Sequence, residues 1–129
     1  MLLPPKKRNI NNIISLTEPN LNTLQILNFQ KGISLFNKNQ FWHAHESWED
    51  VWKTLDCDEE IFFRGLIQLA AGLQCILLNK LDGALSNLNK SIEKLSLFSN
   101  SFLGLDVKKI IENIEFQKLD LNFVLHFKI

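Results

Sequence analysis

The chain is poor in the residues that build covalent or metal-held scaffolds. Its 129 residues include two cysteines, Cys57 and Cys75, three prolines, five glycines and a single methionine. Two cysteines exclude both a disulfide framework and a cysteine-based zinc cluster. They predict a reduced, cytoplasmic setting. Cys75 stands in an apolar stretch and reads as a small core hydrophobe. Pro4 and Pro5 cut short Met1-Leu2-Leu3, so no secretory signal is expected. No uninterrupted apolar run reaches the length of about 18 residues that a membrane span needs, so no membrane association is expected. An excess of charge of one sign is lacking too. Lys+Arg and Asp+Glu number 14 each, for a net charge of zero. Nucleic-acid binding, which draws on basic excess, is therefore not expected. Lys6-Lys7-Arg8 reads as a solvated lead-in. No glycine-rich phosphate loop, nucleophile elbow or Cys-x-x-Cys pair occurs, and no cofactor or metal is implied by motif.

What is present is the composition of one ordinary globular domain, 46% apolar and 22% charged. Residues 1–19 hold all three prolines, no helical period, and read as an extended or disordered leader. Residues 20–115 read as a helical domain. Leu24, Leu27, Ile33 and Phe36 form the stripe of a helix over about 21–38. Phe41, Ala44, His45, Trp48 and Trp52 fall on one face of a second, about 40–55. A third, about 59–79, is apolar around most of its circumference and reads as the central helix. Asp56 to Asp58 should end the second helix and cap the third. Asp82 should cap a fourth over about 83–98, and Asp106 a short fifth over about 107–114. Gly32, Gly65 and Gly72 predict close helix packing.

This pattern predicts an all-α fold, an antiparallel helical bundle of four to five helices with an extended C-terminal arm. Leu35-Phe36-Asn37-Lys38 leading to Phe41 and Ala44 resembles Leu77-Leu78-Asn79-Lys80 leading to Gly83 and Ala84. Two such hairpins would be tetratricopeptide-like. Over 116–129 the period changes to two, with Leu119, Leu121, Phe123, Leu125, Phe127 and Ile129 apolar, a strand-like pattern. A lone strand in a helical domain either lies over the helices or pairs with its counterpart in another subunit. A homodimer, and an unidentified protein partner, are the expected partners.

Chemistry-bearing residues gather on the second helix. His45 and Glu49 are one turn apart, and Glu46 and Glu49 border the same face, giving the spacing His-Glu-x-x-Glu. That is not the His-Glu-x-x-His of zinc peptidases. On the third helix, Arg64 and Gln68 are one turn apart amid bulky apolar residues. Two readings stay open. In one, His45 and Glu46 or Glu49 are satisfied by Arg64 and Gln68 across the helix pair, a buried network that fixes register. In the other, the same residues form a small-molecule or metal pocket of an enzyme, with His45 as base or ligand and Glu46 and Glu49 as partners. Phe41, Trp48 and Trp52 would form its aromatic wall, with Trp42 exposed. The expected function is a helical binding or interaction domain built around this polar cluster. The enzyme is the alternative.

The run Leu35-Phe36-Asn37, Phe41, Ala44-His45-Glu46, Trp48-Glu49, Trp52, Phe63, Gly65-Leu66-Ile67-Gln68-Leu69-Ala70-Ala71 and Gly83-Ala84 resembles the domain-of-unknown-function 309 family. The resemblance covers about residues 24–97. It implies an all-α domain with no assigned activity. It maps the family's characteristic polar residues onto His45, Glu46, Glu49, Arg64 and Gln68.

Overall fold

The computed structural model describes residues 8–12, 16–124 and 127–129. After a single 3-10 turn at Ile10–Asn12 come α1 (Thr23–Asn37), α2 (Phe41–Trp52), α3 (Glu60–Leu77) and α4 (Leu81–Leu95). A two-stranded antiparallel hairpin follows, β1 (Ser101–Phe102) and β2 (Leu105–Asp106), and then α5 (Val107–Lys118). The fold is all-α, as the periodicity predicts. Packing runs mainly between consecutive helices, α1 on α2, α2 on α3 and α3 on α4.

Local chemistry explains most of the boundaries. Asn22 opens α1 with a reciprocal capping box: its Oδ1 accepts from Gln25 N–H at 2.8 Å, and Gln25 Oε1 accepts from Asn22 N–H at 2.9 Å. Asp106 caps α5, accepting from Lys109 N–H at 3.0 Å. The caps expected at Asp56–Asp58 and Asp82 do not form. Glu59 and Lys80 hold those positions without a side-chain cap bond. Asp82 instead lies inside the first turn of α4, where its charge suits the helix dipole. Helix α5 runs to Lys118, longer than its apolar stripe predicts.

The two helical hairpins repeat a design at a register the sequence reading misplaced. Asn39 and Asn79 both adopt positive φ, 62° and 58°, a backbone state that asparagine tolerates better than most residues. Each is followed by the same closing bond: Gln40 N–H to Leu35 O at 2.9 Å, and Lys80 N–H to Cys75 O at 2.8 Å. The repeat offset is therefore 40 residues, so Asn39 matches Asn79 and Ala44 matches Ala84, both alanines fully buried. At the same offset Gly32 matches Gly72, and Trp48, which covers Gly32, matches Leu88, which covers Gly72. Pairing Asn37 with Asn79 aligned look-alike residues from different turn positions.

Helix α3 is central. It packs between α2 and α4 and buries Ile61, Phe62, Phe63, Leu66, Leu69, Leu73 and Ile76. Among the described residues it is the one helix long and apolar enough to cross a membrane, with a mean hydropathy of 1.4 over Glu60–Leu77. Most of that length is covered by neighbouring helices, as in a core helix. Against α4 its glycines set the distance. A Cβ on Gly65 would stand 2.9 Å from Leu95 Cδ2, and one on Gly72 2.9 Å from Leu88 Cδ2. Aromatic rings close both ends of the core. Phe36 meets Phe41 at 5.0 Å and Phe127 at 5.7 Å between ring centres, while Phe62 meets Phe98 at 5.1 Å and Phe102 at 4.8 Å. The β1–β2 hairpin, which the sequence reading did not contain, delivers Phe102. Its two-residue loop, Leu103-Gly104, has positive φ at both positions (50° and 79°), as a tight hairpin of the right twist requires.

The strand expected over 119–129 is absent from the described residues, and Leu125 and His126 lie outside them. Gln117 Nε2–H donates to Asp120 O and to Phe123 O, both at 2.9 Å, and turns the chain as α5 ends. Phe127 is then buried against Phe36. Asn37 clamps Ile129, accepting from its N–H at 2.8 Å and donating to its O at 3.0 Å. Lys128 Nζ donates to Asn37 O at 2.7 Å, one of the carbonyls that a helix end leaves without an intrahelical partner. Of the alternating apolar residues that are described, only Phe127 is buried, while Leu119 and Phe123 are exposed, so the alternation does not mark one buried face.

Among the glycines, the tightest position is Gly32 against Trp48. A Cβ on Gly32 would fall 2.3 Å from Trp48 Nε1, and Trp48 is fully buried, its Nε1–H donating to Phe29 O at 3.2 Å. Gly32→Ala should destabilise the protein by about 1–3 kcal/mol, even though alanine is the better helix former by about 1 kcal/mol. Urea denaturation of the two proteins measures the difference.

Candidate functional site

The third helix begins with a carboxylate that is completely buried. Glu60 has no exposed surface, and three donors hold it. Trp52 Nε1–H donates to Oε2 at 2.7 Å, Arg64 Nε–H to the same oxygen at 2.9 Å, and the main-chain N–H of Arg8 to Oε1 at 2.9 Å. A buried charge without such partners would cost several kcal/mol. The first turn of a helix is also where a negative charge is best placed. Arg64 extends the network, its Nη2–H donating to Arg8 O at 2.8 Å.

This network is not the one expected from the sequence. Four of the five expected residues separate by their partners into three groups, and the fifth, Gln68, lines the cleft described below. Arg64 pairs with Glu60, one turn before it, rather than with His45, Glu46 or Glu49. His45 and Glu49 pair with each other, Nε2 to Oε1 at 2.9 Å. Glu46 points to solvent and meets His43 Nδ1 at 3.2 Å on an exposed face beside Lys31 and Asp50. Geometry explains the split: position 46 lies about 100° around the helix from 45, enough to carry it off the α3 side. Two of the three aromatic-wall residues are elsewhere as well. Phe41 and Trp48 are sealed in the core, and only Trp52 is partly exposed. Trp42 is exposed, as expected, and its indole stacks on the His45 ring at 4.8 Å and 9°.

Between α2 and α3 lies an open cleft of about 220 Å³ lined by Glu49, Trp52, Arg64, Ile67 and Gln68. Helix periodicity delivers these residues. Glu49 and Trp52 are three apart on α2, and Arg64, Ile67 and Gln68 are three and four apart on α3. The His45–Glu49 pair borders the cleft through Glu49. Two polar atoms in this region are buried without a hydrogen-bond partner, Gln68 Oε1 and His45 Nδ1. Both are unusual, because buried polar atoms are nearly always paired. Among the described residues no group of three His, Cys, Asp or Glu side chains is arranged to hold a metal ion. The pair His45–Glu49 offers two ligands of different helix turns and no third.

An acidic turn connects α2 to α3. Burial, reinforced by Asp58, raises the Glu59 carboxyl above its ordinary range. Burial, followed by the charge of Glu59, pushes the Cys57 thiol up, which keeps it protonated and unreactive near neutral pH. On the α4 side, Lys94 is buried, and its ammonium falls below its ordinary value of 10.5. Burial is the main cause and the charge of Arg64 the second. Lys90 adds to the shift, while Glu93 and Glu60 oppose it.

Glu60 was not singled out from the sequence. The available signal was its spacing: a Glu in a helix's first turn with Arg64 four positions on, ahead of an apolar run. Removing the carboxylate leaves Trp52 and Arg64 with unpaired buried donors. Glu60→Ala should cost about 3–5 kcal/mol in urea denaturation. Arg8→Ala, which loses ion pairs to the exposed Asp56 and the half-exposed Asp58, should cost roughly 0.2–1 kcal/mol. Lys94 gives a pH test. Below its depressed native value both folded and unfolded states carry the proton, so its burial cost is felt in full. Between that value and 10.5 the unfolded chain holds more protons, so stability rises with pH. Lys94→Met should therefore be more stable than the native sequence at about pH 7, and the gap should narrow as the pH approaches 10.5, read by denaturation at each pH.

No curated protein matches the chain. Residues 29–87 match the model of the family described as Domain of unknown function (DUF309). The match runs from Phe29 in α1 to Asn87 in α4, so it holds the whole of α2 and α3 together with His45, Glu49, Trp52, Glu60, Arg64 and Gln68. This segment, which contains both walls of the cleft, is what the chain shares with the DUF309 family.

Proposed function

We propose that this domain works by binding, and that the cleft between α2 and α3 receives a small polar ligand. The observation that carries this reading is the convergence on one cleft of Glu49, Arg64 and Gln68 from facing helices, with Gln68 Oε1 buried and unpaired. A ligand that carries a hydrogen-bond donor satisfies that oxygen or Glu49. A carboxylate or carbonyl on the same ligand meets Arg64, whose remaining N–H groups are available beside those given to Glu60 and Arg8. Trp52 and Ile67 supply the apolar walls that such sites combine with a few polar groups.

Catalysis by His45 is the weaker reading on the same geometry. A general base needs a ring nitrogen within reach of substrate. Nε2 is held by Glu49, and Nδ1 is buried, with the Trp42 indole stacked on the ring. The pair is better placed to hold Glu49 and Trp42 than to move a proton. The repeated hairpins support a tetratricopeptide-like scaffold, a design that presents helix faces for binding.

The test is a nuclear magnetic resonance screen of small carboxylates and amides against the full chain. Binding should shift the Trp52 indole N–H and Arg64 Nε–H resonances together. The shifts should disappear in Gln68→Met and Glu49→Gln, with the fold confirmed intact by circular dichroism. Binders that map to other surfaces, or that ignore both substitutions, would show the reading to be wrong.

A further inference from the structure

The leader is held by a set of contacts that reads one residue completely. Arg8 gives its main-chain N–H to Glu60 Oε1 at 2.9 Å, and its main-chain carbonyl accepts from Arg64 Nη2 at 2.8 Å. Its guanidinium donates from Nε to Asp58 Oδ1 at 3.1 Å and from Nη2 to Asp56 Oδ1 at 3.0 Å. Two positions on, Ile10 packs against the core. The receiving groups belong to one short stretch, the turn 56–60 and the first turns of α3.

The receiving groups also have contacts of their own that position them. Trp52 and Arg64 both fix Glu60 through Oε2, which leaves Oε1 to take a peptide N–H. Arg64, locked by Glu60, presents Nη2 at the height of the next carbonyl. Such a pair reads the main chain of any residue. Asp56 and Asp58 add the selection for a forked cation, since two separate N–H groups of one guanidinium meet two separate carboxylates. The side-chain pairs are solvent-exposed at Asp56 and half-exposed at Asp58, so they hold the leader weakly and in a salt-sensitive way.

We propose that the turn 56–60 together with Arg64 is a recognition site for an arginine-bearing peptide segment. The protein's own leader fills it in cis through Arg8, and a basic segment of another chain enters when the leader is displaced. The site adjoins the α2–α3 cleft at Trp52 and Arg64, but the proposal stands without the cleft's having a ligand. It concerns a different face of Arg64 and a different chemistry.

The experiment displaces the leader and supplies it in trans. In full-length Arg8→Glu the new carboxylate faces Asp56 and Asp58 and should expel the leader. The probe is a synthetic peptide of residues 4–12, Pro-Pro-Lys-Lys-Arg-Asn-Ile-Asn-Asn. By calorimetry it should bind the Arg8→Glu chain at least about tenfold more tightly than the native chain, a difference of about 1.4 kcal/mol. Binding should shift the Trp52 indole resonance and weaken at high salt. Replacing the peptide's arginine by alanine, or adding Asp56→Asn and Asp58→Asn to the protein, should weaken it severalfold. Exchange of leaders between two copies, seen as a dimer of the native chain that Arg8→Glu dissolves, would support the same site. A folded Arg8→Glu chain that ignores the peptide, or binds the alanine peptide equally well, overturns the proposal. Should Arg8→Glu fail to fold, the full-length Asp56→Asn/Asp58→Asn variant decides. Faster hydrogen exchange at the Arg8 amide, by about tenfold or more, supports the site, and unchanged protection rejects it.

Discussion

A carboxylate with no exposed surface has to be satisfied in full, and Glu60 sets that requirement at the junction of three parts of this chain. Trp52 answers it from the end of α2, Arg64 from α3 and the main chain of Arg8 from the leader. The requirement is geometric as well as energetic. Two donors converge on one oxygen from elements that must therefore hold one relative position. The angle between α2 and α3, the exposure of the Trp52 edge and the path of the leader all follow from it. So does the cleft, whose far walls are Trp52 and Arg64.

Away from that junction the fold rests on small residues that let helices touch. Gly32 lies under Trp48, Gly65 under Leu95 and Gly72 under Leu88. Two of these contacts repeat at a spacing of 40 residues, along with the asparagine turns that precede α2 and α4. The repetition explains why hairpins of such different composition, one with an indole at its tightest point and the other with a leucine, reach the same architecture. What repeats is the clearance at a glycine and the positive φ at an asparagine. The identity of the covering side chain does not.

The helices were legible in the sequence because an apolar stripe at helical spacing reports burial directly. The capping residues Asn22 and Asp106 acted locally, and only Asp106 was singled out in advance. The site was less legible. His45, Glu49, Arg64 and Gln68 were singled out, and three of them, Glu49, Arg64 and Gln68, line one cleft. Their partners were not identified, because helical spacing says which face a residue occupies and not which group stands opposite. Arg64 had a nearer carboxylate one turn back on its own helix, and proximity along α3 won over the pairing across to α2. Glu46 was included because, three positions from Glu49, it was read as bordering the His45 face, yet it lies about 100° around the helix from His45, and that sufficed to put it in solvent.

The tail shows the same division. Its alternating apolar residues read as a strand-like arm, but a period of two does not specify a neighbouring strand: Leu119 and Phe123 are exposed, and the one buried ring, Phe127, packs on Phe36. By itself the sequence determined an all-α domain with a central apolar third helix, two asparagine-turned hairpins and a family signature on α2 and α3. Those features depend on residues a few positions apart. Tertiary structure decided that Glu60 is the buried charge, that Arg8 is its third donor and that Trp52 faces a cleft. Those depend on contacts across 8 to 56 positions of chain, whose geometry is fixed only when the helices have packed.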